Sequence, residues 1–164
     1  MNVIASKTDN LLKVVIVDLL LISAICLIPA TSHVLAFPLY KLNPMLLALF
    51  AGMALVGDRR NAFLLAVMLP LASMLATGIP LAANAVCMVP ELAAVVALML
   101  LFERRLPLFV AAVASALAGK VVFYLLRALL FAPATLFGTS LLLQFVAILA
   151  SALLYVAIRR ANVK

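Results

Sequence analysis

Of the 164 residues in this chain, 70% are hydrophobic and only 10% are charged, and the mean hydropathy is +1.38. That leaves too few polar side chains to cover a water-soluble domain of this size, which excludes a soluble enzyme or soluble binding module. The formal net charge of +7 falls in separated basic pairs rather than one continuous patch, which excludes a nucleic-acid interface.

Six apolar runs are read along the chain, at about 12–32, 44–57, 62–79, 81–102, 107–131 and 139–158. A membrane-crossing helix needs roughly 20 residues to span ~30 Å of hydrocarbon. Six such helices with short loops use nearly the whole length, so residues 1–164 read as one membrane domain. The expected fold is an all-α polytopic membrane protein, a compact six-transmembrane-helix bundle in the inner (plasma) membrane. Residues 1–11 read as a polar cytoplasmic N-terminal segment. Lys7 and Lys13 before the first run resemble the start of a signal peptide. The length of that run, Asp18 within it and the odd number of spans left by its removal argue that it is retained.

The first gap, Thr31 to Asn43, is the longest and the richest in polar and aromatic groups, and Pro38 and Pro44 oppose a continuous helix there. The second run is short at about fourteen residues, unless residues 34–40 re-enter the membrane and add depth. Irregular backbone at that depth must be covered by protein or line a cavity. The third run closes on the turn Thr77-Gly78-Ile79-Pro80, and Pro70 and Pro90 in the third and fourth runs are candidate kinks. Ala111, Ala112, Ala114, Ser115, Ala116, Ala118 and Gly119 make the fifth run the expected central packing helix. The last gap, Ala132 to Thr139, is short and uncharged.

Alternate gaps and the ends hold the cations. Lys7 and Lys13, Arg59 and Arg60, Arg104 and Arg105, and Arg159, Arg160 and Lys164 share one side, whereas the opposite gaps hold only Lys41. Lys and Arg in short loops resist translocation, so both termini are expected in the cytoplasm. The same clusters suit anionic membrane lipid.

No nucleotide loop, paired-carboxylate site, metal-ligand cluster or cofactor motif is present, so no catalytic, metal or cofactor role is assigned. Cys26 and Cys87 lie inside apolar runs without CxxC spacing and read as small buried hydrophobes. The informative residues are the ionisable ones within the spans, because each costs about 2.5–3.5 kcal/mol to insert. They are Asp18, Glu91, Lys120 and Arg127. Glu91 and Lys120 each lie roughly 15 Å from the outer surface on consecutive antiparallel helices, so they are expected to pair. A purely structural ion pair is the competing reading. For Asp18, a pairing with Lys13 and a contact with another subunit are both open.

Arg127 lies seven residues after Lys120, and Asn84 seven before Glu91, so each couple shares a helix face. Arg127, Asn84 and Gln144 lie near the outer ends of three helices, with Tyr124 beside the Lys120–Arg127 stripe. His33, Tyr40 and Lys41 in the first gap complete an outward-opening polar pocket. The expected substrate-binding set is therefore Arg127, Lys120, Asn84, Gln144, Glu91, Tyr124, Tyr40, Lys41 and His33. Arginine forks match carboxylate and phosphate groups, so the expected solute is anionic. Snorkelling of Arg127 to headgroups remains the alternative.

A chain of this size with six helices, inner termini and a long first outer loop resembles the substrate-binding (S) components of energy-coupling factor (ECF) transporters. The string LNPMLLALFAGMALVGDRRNAFLLAVMLPLASMLATGIP is similar to their second and third spans. The resemblance implies uptake of a vitamin or other micronutrient, with no cofactor and no hydrolysis by this subunit. It also implies a transmembrane coupling subunit driven by two ATPase subunits, and a ligand near the outer face among spans four to six. The family's Ala-xxx-Ala contact motif is absent from run one, where Ser23 and Ala24 stand, and that spacing occurs instead at Ala72 and Ala76. The alternative resemblance is to the rod-shape-determining MreD family, a membrane scaffold of cell-wall elongation. Members of that family often carry an acidic residue in the third span before a glycine turn, where this chain has Ser73 and Met74.

Overall fold

The computed structural model describes residues 2–131 and 140–162, with side chains described from Asn10 onward. The gap Ala132 to Thr139, Lys164 and the side chain of Lys7 lie outside the described residues. Among the described residues six α-helices form in order: α1 (Asn2–Val34), α2 (Pro44–Val56), α3 (Arg59–Thr77), α4 (Ala82–Phe102), α5 (Leu108–Leu130) and α6 (Leu141–Asn162). A 3₁₀ turn at Leu39–Leu42 precedes α2. Five of the helices are long and apolar enough to cross a membrane, and α2 is the shorter exception. An all-helical membrane architecture follows, because helices satisfy their backbone groups without water.

Helix α1 begins at Asn2, so its backbone continues through the polar stretch read as a separate segment at 1–11. Helix α3 starts at Arg59 rather than 62, and the local chemistry explains why. Gly57 caps α2 at φ 72°, a left-handed conformation that glycine adopts without a Cβ clash. Asp58 then accepts a hydrogen bond from the Arg60 N–H at 2.9 Å, an N-cap that carries the helix back through the arginine pair.

The helices pack as a ring in the order α1–α3–α4–α5–α6–α2, closed between α2 and α1, with α2 also against α3. Short turns make consecutive helices antiparallel, and two contacts fix the ends. Tyr124 near the end of α5 donates to Gln144 near the start of α6 at 2.7 Å. Asn162 at the end of α6 donates to the Ala54 carbonyl near the end of α2 at 3.1 Å. One end of the bundle thus carries the arginine turns, and the opposite, loop end carries residues 35–43 and the turn after α3.

The core is concentrated toward the arginine end. It joins Leu49, Phe50 and Met53 of α2 to Leu65 and Leu69 of α3, Val95 and Met99 of α4, Ala112 of α5, and Ala152 and Tyr155 of α6. The rings of Phe50 and Tyr155 meet at 5.4 Å. The helix surrounded by others is α2, with no exposed residue from Pro44 to Val56. Helix α5, expected at the centre, instead turns its small residues Ala111, Ala112, Ser115, Ala116 and Gly119 inward on one face and packs chiefly on α4. Small side chains permit close approach of one neighbour, whereas large apolar side chains on α2 fill space on several sides.

The length of α2 shapes the loop end. Its 13 residues rise about 20 Å, against about 31 Å for the 21 residues of α4. Helix α2 is level with its neighbours at the arginine end, where it joins α3 through Gly57. It therefore stops roughly 11 Å short at the other. Space remains there, bounded by the 3₁₀ turn and the ends of the longer helices.

Candidate functional site

That space is a half-open cavity of about 350 Å³, lined from all six helices. Its size is at the low end for small-molecule sites, which run roughly 300–1,000 Å³. The rim includes the exposed side chains of Tyr40 (53% accessible) and Leu81 (71%). From α1 come Ile25, Ile28 and Pro29, whose spacing of three and four places them on one face.

At the deep end, Lys120 Nζ lies 2.6 Å from Glu91 Oε1. The expected pair therefore forms, between α4 and α5. Gly119 makes the approach feasible: a Cβ there would press on Val95 and come within 3.1 Å of the Glu91 carbonyl oxygen. The missing side chain thus lets the two backbones close enough for Lys120 to reach Glu91. Glu91 is 1% exposed. Its second oxygen, Oε2, is buried and has no hydrogen-bond partner.

A second orphan atom belongs to another residue that lines the cavity. Asn43 is the residue before α2, held at φ 50° and 8% exposed, and its Nδ2 is buried without a partner. Asparagine tolerates this left-handed backbone better than most residues, which explains its place at the helix start. The backbone alone does not explain a buried, unpaired amide. The start of α2 at Asn43, Pro44 and Met45 also lines the cavity, presenting the partial positive charge of a helix N-terminus.

Along α5, Lys120, Phe123, Tyr124 and Arg127 make a continuous stripe at spacings of three, four and seven. Lys120 Nζ lies 5.2 Å from the Phe123 ring centroid and Arg127 Cζ 5.9 Å from it. Each such contact contributes on the order of 0.5–2 kcal/mol, more where water is excluded. Phe123 also meets Tyr124 edge-on at 5.4 Å. Among the described residues, Arg127 has no carboxylate partner.

Arg127, Lys120, Asn84, Gln144, Glu91, Tyr124, Tyr40 and Lys41 all line the cavity. His33 does not. It lies exposed on the last turn of α1, about a quarter-turn from the Ile25–Ile28–Pro29 face, because α1 stays helical to Val34. On that inward face, Ser32 instead accepts from the Leu39 N–H at 3.2 Å and fastens the 3₁₀ turn. Asp18 accepts from Asn61 Nδ2 at 2.9 Å, which ties α1 to α3. Among the described residues, no three His, Cys, Asp or Glu side chains converge to hold a metal ion.

Sequence reasoning missed Phe123, Asn43, Ser73 and Met88. Phe123 was accessible, being three residues from Lys120. Asn43 reads from sequence only as a helix cap before Pro44. Ser73 donates to the Ile79 carbonyl at 2.5 Å and holds the turn that brings Ile79, Pro80 and Leu81 to the rim. No known protein family, curated protein or solved structure matches this chain.

Proposed function

We propose that this chain is a membrane-embedded solute-binding subunit that captures a small, anionic, water-soluble micronutrient for uptake, in the manner of the ECF S components it resembles. In this reading the loop end faces outward and the chain sits in the plasma membrane. A transmembrane coupling subunit with two ATPase subunits supplies the energy. The observation that carries the proposal is a mainly apolar cavity with a few convergent polar side chains and two buried, unpartnered atoms among its lining residues. Buried polar atoms are almost always paired, so these two call for a partner that a bound solute or ordered water would supply.

Charge supports the anionic character. Lys41, Lys120 and Arg127 line the wall against the single carboxylate of Glu91, leaving two cations in excess. The orientation is supported by the arginine pairs at the far end. Two measurements test the reading. Protein purified into lipid nanodiscs is expected to release a small anionic molecule, near one per chain, on organic extraction and mass spectrometry. Recovery of lipid alone from several expression hosts sinks the proposal. With Cys26 and Cys87 removed, a membrane-impermeant maleimide is expected to label Lys41→Cys in intact cells and Arg105→Cys only after lysis. The reverse pattern turns the bundle over and removes the outward-facing site.

A further inference from the structure

The geometry points to a bifunctional ligand, a ring acid that bears an N–H donor and a neighbouring carbonyl, such as a lactam acid. Its anion would meet Arg127 and Lys41, its flat body Phe123 and Tyr124, and its N–H and C=O the open groups of Glu91 and Asn43. This rests on the solute-capture reading and narrows it to a class of molecule.

The two orphan atoms ask for opposite things. Glu91 Oε2 accepts only, so its partner must donate; Asn43 Nδ2 donates only, so its partner must accept. A simple carboxylate has acceptors alone and leaves Glu91 unsatisfied, with a second negative charge near it, and a phosphate, although its P–OH can donate, offers no flat body to the ring of Phe123. A molecule with an anion at one end and a neutral donor–acceptor edge at the other fits both. The anion is placed by elimination within the cavity. Lys120 is already neutralised by Glu91, whereas Arg127 meets only the Phe123 ring among the described residues. Lys120 and Arg127 are seven residues apart, so the neutral edge and the anion are separated by roughly 10 Å along α5. Between them lie Phe123, Tyr124 and, on the facing helix, Met88. Those side chains suit a planar, weakly polar ring rather than a sugar.

The test uses matched triplets on pyrimidinone, oxindole and quinolinone scaffolds: the lactam acid, its N-methyl form and its carboxamide. Each set is equilibrated with nanodisc-embedded protein, and retention over empty nanodiscs is read by mass spectrometry. For at least one scaffold, the lactam acid is expected to be retained about tenfold better than either relative, the loss expected for one hydrogen bond or one charge contact. Asn43→Gly, which relieves the φ 50° backbone while deleting the amide, is expected to keep the fold and lower retention of the lactam acid about tenfold. Glu91→Leu combined with Lys120→Met is expected to erase the preference for N–H over N-methyl while the acid still outcompetes the carboxamide. Equal retention of N-methyl and parent acids overturns the bifunctional ligand and leaves anion capture standing. Retention of none of the acids by the unmodified protein overturns this ligand class, while the extraction experiment decides solute capture separately. An unaltered affinity in Asn43→Gly means that bound water satisfies that amide, and takes Asn43 out of the site.

Discussion

Replacing Lys120 alone by methionine is expected to destabilise the bundle by about 3–5 kcal/mol, because it strands the Glu91 carboxylate without its cation. Glu91 is among the most enclosed polar groups of the molecule, and its one side-chain partner among the described residues is Lys120 at 2.6 Å. The thermal midpoint in detergent is expected to fall by on the order of 10 °C. The double change Glu91→Leu with Lys120→Met is the informative companion. Removing both charges from a dry site is often neutral or stabilising, so the midpoint is expected to return to the parent value or above. If the pair served only to fix helix register, the double variant would retain full ligand occupancy. If the pair belongs to the site, occupancy falls although stability recovers. A midpoint unmoved by Lys120→Met would mean that water reaches the carboxylate freely through the cavity.

Arg127→Ala is expected to act in the opposite sense, with binding lost and stability kept. A hydrogen bond to a charged partner contributes about 1.5–3 kcal/mol, so affinity for an acidic ligand is expected to drop roughly 10- to 150-fold. The thermal midpoint is expected to move little, since the described contact of Arg127 is the flank of Phe123 at 5.9 Å. Arg127→Lys keeps the charge but loses the planar fork, and an intermediate affinity follows for a carboxylate or phosphate. Equal affinity in all three proteins assigns Arg127 to headgroup anchoring. Isothermal titration with the extracted molecule, or with a retained lactam acid, distinguishes these results.

Where the sequence was decisive, a physical constraint was local or nearly so. The run read at 81–102 became Ala82–Phe102, and that at 107–131 became Leu108–Leu130, because apolar length marks a span directly. The Glu91–Lys120 pair followed from equal depth on adjacent antiparallel helices, with few other ways to satisfy two buried charges. Failures occurred where the answer depends on rotation about a helix or on a neighbour distant in sequence. His33 has the right depth but the wrong azimuth, set by how far α1 remains helical. Asp18 found Asn61, 43 residues away, a partner that no spacing rule indicates. The small residues of α5 were correctly read as permitting close approach, yet they serve one neighbour rather than a central position. Asn43 was hidden because helix capping is a sufficient reason for asparagine before proline, and only its buried, unpaired amide reveals a second demand.

The brevity of α2 carries one more consequence. None of its residues from Pro44 to Val56 is exposed, so acyl chains have almost no hold on it. Thicker or thinner bilayers act on the five long helices through hydrophobic mismatch, which they meet by tilting. The platform at Asn43 is fixed to protein alone and does not follow the lipid. Changes in membrane thickness therefore tighten or slacken the surrounding walls while the chamber floor keeps its level.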